Sequence, residues 1–179
     1  MSWLDHYQPL KGVRLNMVAG PSGEFVDEAG SSRGISNDLD RKLIGKLRSV
    51  SDVLVTGGNT ARLENYKSTS NLQLVVISHH QIYSDGRITI SPPANSDLGA
   101  WVLSEVRSLG FERILLEVGP SLARKFLASD LVDEFCLTIP SGDFEIAKQV
   151  VSSLGSKLVN CEGQFEDQTL FTRWRRGNE

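Results

Sequence analysis

The chain has 179 residues, of which 40% are hydrophobic and 23% charged, and its formal net charge is -3. This length favours one domain, spanning residues 1–179, whose core needs no disulfide or metal. The lack of a basic excess argues against nucleic acid as the main partner. No apolar run approaches the roughly 18 residues of a membrane span, and the amino terminus shows no signal-peptide pattern.

Two cysteines, Cys136 and Cys161, lie far apart and form no metal-binding motif. We therefore expect reduced thiols in a cytoplasmic protein without a metal site.

In the first half of the chain, hydrophobic alternation predicts a strand over 13–19, followed by a long loop of small residues to Asn37. A capping cluster at 36–38 and apolar residues at helical spacing predict a helix that ends near Arg48. Further strands are predicted over 53–55, 72–78 and 87–91. The apolar run of 72–78 is typical of a parallel strand buried on both faces.

In the second half, helices are predicted over 98–109, from Pro120 onward and over 146–154. Strands are predicted over 113–118, 134–140, 157–165 and 169–174, the last two forming a hairpin. The alternation of strands and helices predicts an α/β fold with a mostly parallel mixed sheet flanked by helices. A carboxy-terminal antiparallel hairpin completes it.

Two glycine-containing turns stand out, Gly57-Gly58-Asn59-Thr60 and Gly119-Pro120-Ser121-Leu122. Each follows a predicted strand and opens a predicted helix. Glycine allows a ligand to approach the backbone, and the free N–H groups of a helix start attract anions. Because both turns follow carboxyl ends of strands, we expect them at one edge of the sheet, gripping one phosphorylated cofactor. A single turn of this kind is weak evidence, because many such turns bind nothing.

Several motifs together resemble the pyrimidine reductase family of riboflavin biosynthesis, the reductase part of bifunctional deaminase/reductases. They are Asn16-Met17-Val18-Ala19, Leu47-Arg48, Asp52-Val53-Leu54-Val55 with Thr60, Arg62-x-Glu64-x-Tyr66, Leu116 to Leu122, and Leu131 to Glu134 with Leu137-Thr138. The resemblance covers roughly residues 13–175 and implies a dihydrofolate-reductase-like fold. It also implies NADPH as cofactor, 5-amino-6-(5-phosphoribosylamino)uracil as small-molecule substrate and assembly as a homodimer.

The resemblance also implies residue roles. The cofactor would be held by Gly57, Gly58, Thr60, Ser78, Gly119, Pro120, Ser121 and Leu122, with His79 and His80 either helping beside Ser78 or lying in solvent. The substrate side would be lined by Asn16, Ala19, Ser22 and Arg48. Arg48 would meet the substrate phosphate or be a solvated charge near the helix end. Glu117 would be the catalytic residue that helps proton transfer to the sugar, or would only position the cofactor turn.

The chain departs from the family pattern at three turns. Where the family has Ser-Leu-Asp-Gly, this chain has Gly20-Pro21-Ser22-Gly23, and Asp27 or Glu28 would have to replace the missing acid. Val118 precedes Gly119 where the family has two glycines, and the loop 140–143 also differs. Two functions follow: an NADPH-dependent reductase of a riboflavin precursor, or a non-catalytic homologue that binds a nucleotide or only dimerises. A hydrolase is disfavoured because no Gly-x-Ser-x-Gly motif is present.

Overall fold

The computed structural model describes residues 2–63, 66, 72–79 and 86–177. Its strands are β1 (Gly12–Val18), β2 (Val53–Gly57), β3 (Gln73–Ile77), β4 (Ile88–Ile90), β5 (Arg113–Leu116), β6 (Glu134–Ile139), β7 (Asn160–Glu166) and β8 (Thr169–Arg175). Its α-helices are α1 (Asp38–Ser49), α2 (Gly58–Leu63), α3 (Leu98–Ser108), α4 (Pro120–Ala128) and α5 (Phe144–Ser153).

Within these residues the strands form one sheet in the order β4-β3-β2-β5-β1-β6-β8-β7. The six strands from β4 to β6 run parallel, while β8 pairs antiparallel with both β6 and β7. The mostly parallel sheet and the carboxy-terminal hairpin are confirmed. The parallel order brings the carboxyl ends of β2, β5, β1 and β6 side by side.

Helices cover both faces of the sheet, and each face has its own apolar cluster. One cluster joins the sheet to α3, α4 and α5 through residues such as Val102, Phe126 and Val150. The other joins the opposite face to α1 and α2 through residues such as Leu43 and Ala61. Because successive strand residues point to opposite faces, β2, β3 and β5 supply apolar residues to both clusters, and their apolar runs are nearly continuous.

Local capping explains where several helices begin. The Asn37 side chain accepts a hydrogen bond from the Asp40 N–H at 2.9 Å and starts α1. The Asp143 carboxylate accepts from the N–H groups of Glu145 and Ile146, so α5 begins at Phe144, two residues before the predicted start.

The strand ends near the two turns also differ from prediction. β2 continues through Gly57, and α2 begins directly at Gly58, so no loop separates them. β5 ends at Leu116 rather than at Val118, because the following residues turn into α4. No helix among the described residues is long and apolar enough to cross a membrane.

Candidate active site

The two glycine turns lie in contact. A Cβ atom added to Gly57 would lie 2.8 Å from the Leu122 Cδ1 atom, and one added to Gly58 would lie 3.3 Å from the Ser78 Oγ atom. The end of β2, the end of β3 and the start of α4 therefore meet at one point. The structure brings together residues that the sequence places up to 65 positions apart, although their role in cofactor binding stays a prediction.

The start of α4 is open to a ligand. Gly119 is its N-cap residue and provides no side-chain hydrogen bond to the first turn, and Pro120 occupies the first turn. A Cβ atom added to Gly119 would meet no other atom within 4 Å. The N–H groups of this turn are therefore not covered by a capping side chain, and an anion can approach them closely.

A cavity of about 110 Å³ lies beside this turn, at the carboxyl edge of the parallel strands. It is lined by Asn16, Met17, Val18, Phe25, Val26, Gly30, Ser32, Asp40, Ile44, Thr60, Leu63, Tyr66, Glu117, Val118, Gly119 and Pro120. The cavity holds a group the size of a ring, so a dinucleotide would extend beyond it along the neighbouring turns. This position is where ligands bind in open α/β sheets.

Four polar residues lie in or just beyond the carboxyl-terminal halves of the central strands, and we call them the polar row: Thr56, Glu117, Asn16 and Thr138. The register places Glu117 between Thr56 on β2 and Asn16 on β1, one residue beyond the paired positions of β5. Thr138 lies on the neighbouring strand β6. All four are buried. Strand residues two positions apart point to the same face of the sheet. Three members of the polar row lie two positions after residues that pack on the face covered by α1, namely Leu54, Leu115 and Cys136, so the row lies on that face.

Glu117 is held by two partners from that face. Its carboxylate accepts hydrogen bonds from the Arg48 Nε atom at 2.9 Å, from the Arg48 Nη2 atom at 2.5 Å and from the Tyr66 hydroxyl at 2.7 Å. The Arg48 guanidinium also lies 4.7 Å from the centre of the Tyr66 ring. Burial alone would lower the pKa of Arg48, but the hydrogen bonds and charge of Glu117 raise it above its ordinary value. Arg48 is thus a fixed cation beside the cavity.

Asp40 is a site residue that the sequence reading missed. It lies on the first turn of α1, is fully buried and lines the cavity. Its Oδ2 atom accepts a hydrogen bond from the Ser36 hydroxyl at 2.6 Å. Burial raises the pKa of Asp40, and the Ser36 and nearby Thr138 hydroxyls oppose this shift without cancelling it. The sequence places Asp40 in the first turn of a predicted helix. An acid at this position usually lies in solvent and interacts with the helix dipole, so the sequence did not indicate a buried site residue.

Four buried side-chain oxygens have no protein hydrogen-bond partner among the described residues. They are Asn16 Oδ1, Asp40 Oδ1, Thr56 Oγ1 and Thr138 Oγ1. All four belong to the polar row or to Asp40, which faces it from α1. Asp40 and Thr138 lie close enough for the Thr138 hydroxyl to lower the pKa of Asp40, and of the four residues only Asn16 and Asp40 line the cavity.

The loop that carries Ser22 does not place this residue in the cavity. Ser22 is exposed and absent from the lining, and its N–H donates to the Glu24 carboxylate at 2.8 Å. The Asp27 carboxylate accepts from the N–H groups of Ala29, Ser31 and Gly34 at 2.9 to 3.1 Å. Asp27 therefore organises its own loop, and Glu28 is exposed. Neither residue lines the cavity in place of the family's acid.

The remaining predicted residues take different positions. Ala19 is fully buried, and its N–H donates to the Thr138 carbonyl at 3.0 Å, so it supports the strand ends. Ser121 is exposed, whereas Thr60 lines the cavity. His79 is exposed next to Ser78, and His80 and Glu64 lie outside the described residues. Residues 2–63, 66, 72–79 and 86–177 contain no cluster that could hold a metal ion.

Neither a protein-family model nor a curated protein sequence matches this chain. Solved structures do match its fold. A pyrimidine reductase-like protein from Corynebacterium diphtheriae is similar at a TM-score of 0.71 and 16% identity, covering 100% of this chain and 96% of that one. A second similar structure is the Thermotoga maritima diaminohydroxyphosphoribosylaminopyrimidine deaminase/5-amino-6-(5-phosphoribosylamino)uracil reductase. Its TM-score is 0.65 and its sequence identity 18%, and the match covers 97% of this chain and 58% of that one.

Dihydrofolate reductase from Enterococcus faecalis, complexed with NADP(H) and RAB-propyl, is similar at a TM-score of 0.63 and 11% identity, covering 96% of this chain and 99% of that one. These identities are low, so the likeness is one of fold. The resemblance seen in the sequence motifs is confirmed at that level. The chain therefore has the dihydrofolate-reductase-like fold that pyrimidine reductases share with dihydrofolate reductase.

Proposed function

We propose that this protein is an NADPH-dependent reductase that acts on 5-amino-6-(5-phosphoribosylamino)uracil or a closely related riboflavin precursor. The observation that carries the proposal is the cavity between the open start of α4 and the polar row. One side of this site suits a phosphorylated cofactor and the other suits a polar ring. The reductases among the structural neighbours support the same class of reaction.

The cofactor side consists of the two glycine turns. The open N–H groups at Gly119 and the Thr60 hydroxyl beside the cavity suit a pyrophosphate. Gly57 and Gly58 keep the β2–α2 junction narrow enough for Leu122 and Ser78 to pack against it. When bound, NADPH supplies the hydride that reduces the anomeric carbon of the substrate's ribose.

On the substrate side, Arg48 is fixed by Glu117 and keeps about a third of its side chain exposed, at 32%. It is therefore placed to attract the substrate phosphate. Glu117 acts in this proposal as the positioning residue for Arg48 and Tyr66, because its two oxygens accept hydrogen bonds from both. Asn16 contributes its amide to the same wall.

The alternative is a homologue that binds a nucleotide without catalysis. It is favoured by the position of Ser22, which is exposed and leaves the cavity without the acid that the family motif carries. It is also favoured by Glu117, whose carboxylate is already engaged by Arg48 and Tyr66. In this case the cofactor side would bind a nucleotide, and the substrate side would not support a reaction.

Two measurements separate these functions. The loss of NADPH absorbance in the presence of 5-amino-6-(5-phosphoribosylamino)uracil measures turnover, and NADPH fluorescence measures binding. The proposal expects both, with Thr60→Ala weakening NADPH binding about tenfold through the loss of one charge-assisted hydrogen bond. NADPH binding without turnover would favour the non-catalytic homologue, and no binding at millimolar NADPH would remove the reductase from consideration.

A further inference from the structure

A second cavity, of about 380 Å³, lies at the other end of the sheet strands, where β6 begins and β8 ends. It is lined by Asn160, Cys161, Glu162, Arg173, Arg175 and Arg176. The candidate active site lies at the carboxyl ends of the parallel strands and shares no lining residue with this cavity in the described part of the chain. A ligand bound here would therefore not occupy the place of the cofactor or the substrate.

The lining of this cavity is positively charged, although the whole chain is acidic. Three guanidinium groups and one carboxylate line it, a net of two positive charges, whereas the chain carries -3. Glu134 approaches from within the sheet, but its charge is balanced by the buried Arg14 at 2.6 Å. Asp130 lies 3.9 Å from Arg176 in an exposed pair, which neutralises little. The cavity therefore attracts anions.

Two of the arginines are held in place by contacts outside the cavity. Arg173 and Arg175 lie two positions apart on β8 and point to the same face. The Arg173 Nη1 atom donates to the His6 carbonyl at 2.8 Å, and the guanidinium lies 5.2 Å from the centre of the Tyr7 ring. The Arg175 Nε atom donates to the Glu134 carboxylate at 2.8 Å. Their orientation is thus set before a ligand binds, which lowers the entropic cost of binding.

Glu162 occupies the position that an anion would take between these arginines. It lies on β7 opposite Arg173, and its carboxylate accepts hydrogen bonds from the Arg173 Nη2 atom and, at 3.1 Å, from the Arg175 Nη1 atom. The Glu162 side chain is 59% exposed, so it can turn into solvent with little loss of stability. A phosphate dianion offers these guanidinium groups more charge and more acceptor oxygens than one carboxylate does.

We propose that this cavity binds a phosphate dianion through its three arginines, and that Glu162 occupies the site in the ligand's absence. The ligand is free phosphate or the phosphate group of a small metabolite, because both present the same tetrahedral dianion. This site is separate from the reductase chemistry and does not rest on the proposed function.

Glu162→Gln is the decisive variant, because it keeps the shape of the side chain and removes the competing charge. Inorganic phosphate is titrated into the isotope-labelled full chain, and its affinity is measured from the NMR shifts of backbone amides. We expect Glu162→Gln to bind phosphate at least about fivefold more tightly than wild type, because two exposed ion pairs no longer compete. Equal affinities in Glu162→Gln and wild type would overturn the site.

Glu166→Gln is the matched control. It removes the same charge from the same face of β7, but Glu166 does not line the cavity. Its affinity for phosphate should stay close to that of wild type. An equal gain in Glu166→Gln would show that only the overall charge of the hairpin matters, and it would overturn the site.

The same NMR titration locates the bound ion. Phosphate should shift the amides of residues 160–162 and 173–176. Shifts confined to Gly119 and its neighbours would place the ion at the start of α4 and overturn the proposal. In the Glu162→Gln background, Arg176→Gln should weaken phosphate binding at least about fivefold, whereas Arg107→Gln, at an exposed position of α3, should not. Equal effects of the two arginine substitutions would also overturn the site.

Glycerol 3-phosphate distinguishes the two sources of the dianion. Tighter binding of glycerol 3-phosphate than of inorganic phosphate to Glu162→Gln would support the site and assign it to a phosphorylated metabolite. Equal or weaker binding would support the site and assign it to the free ion. No binding of either probe at millimolar concentration would overturn it. NADPH affinity, measured on the same samples, should be unchanged in Glu162→Gln, so failure of the reductase proposal leaves this site standing.

Discussion

At the scale of single residues, the carboxyl group of Asp40 combines full burial with a raised pKa. It is fully buried, and one of its oxygens has no protein partner among the described residues. Such a group destabilises the fold, because removal of a carboxylate from water is unfavourable unless it is paired. Titratable groups whose pKa is shifted by burial are concentrated at functional sites.

This property predicts a pH-dependent effect of Asp40→Asn on stability. Burial raises the pKa of Asp40, so the folded protein holds this proton more tightly than the unfolded chain does. The favourable contribution is complete below the ordinary pKa of 3.8 and is lost as pH rises through the higher folded value. Asparagine does not titrate. The melting temperature of Asp40→Asn relative to that of wild type should therefore rise between pH 4 and pH 8. The same difference in melting temperature at both pH values would contradict a raised pKa of Asp40.

Val118 is a second residue whose role differs from the expectation. Its side chain is only 5% exposed and belongs to the apolar cluster on the α4 side of the sheet, while it also contributes to the cavity wall. Because the family has glycine at this position, Val118→Gly would be expected to clear space for the cofactor and tighten NADPH binding. The burial predicts a different main effect.

We expect Val118→Gly to lower the free energy of unfolding by about 2 kcal/mol, because a buried valine side chain contributes about that much. Urea unfolding measures this loss, and NADPH affinity is then compared below the unfolding transition. Unchanged stability would show that the side chain is not part of the core. Tighter NADPH binding in the folded fraction would show that it also restricts the turn.

At the level of elements, the junction of β2 with α2 and the start of α4 form the two sides of one groove. Gly57 faces Leu122 so closely that a methyl group would lie 2.8 Å from it, whereas Gly119 has open space. One glycine is needed for packing between elements. The other is needed only if a ligand approaches the backbone.

Gly57→Ala and Gly119→Ala therefore make a matched pair. Gly57→Ala should lower the melting temperature, because the Leu122 side chain must shift to admit the methyl group. Gly119→Ala should change the free energy of unfolding by no more than about 0.5 kcal/mol, yet weaken NADPH binding several-fold. Normal NADPH affinity in Gly119→Ala would mean that the cofactor does not approach the start of α4.

Across the whole molecule, a buried ion network connects the parallel part of the sheet to the carboxy-terminal hairpin. Glu134 on β6 pairs with Arg14 on β1 at 2.6 Å and with Arg175 on β8 at 2.6 Å. Arg14 and Glu134 are both nearly inaccessible, with 5% and 2% of their side chains exposed. Burial alone would raise the pKa of Glu134, but the two arginines outweigh it and lower the pKa below its ordinary value.

Removal of this acid should destabilise the fold. Glu134→Gln leaves Arg14 buried without its partner, and breaking a buried pair in this way costs about 3 kcal/mol. Because the folded pKa is lowered, the stabilisation by Glu134 is present above its ordinary value of 4.5 and disappears as pH falls through the folded value. The difference between wild type and Glu134→Gln should therefore shrink in acid, and a constant difference would show that the network is not electrostatic.

The sequence by itself determined the order of strands and helices, because that order depends on local periodicity, capping residues and turn residues. It also marked both glycine turns and the motifs that link this chain to pyrimidine reductases. It predicted Glu117 as a site residue but not its ion pair with Arg48 or its hydrogen bond with Tyr66, because these residues are 69 and 51 positions away along the chain.

Only the tertiary structure decided which polar residues share the cavity. Asp40 was not among the predicted site residues, whereas Ser22 was predicted to line the substrate side. Packing of α1 against the sheet buried Asp40 beside Asn16, while the Glu24 carboxylate bound the backbone of the exposed Ser22. Burial and hydrogen-bond satisfaction depend on residues distant in the chain, so spacing along the sequence cannot determine them.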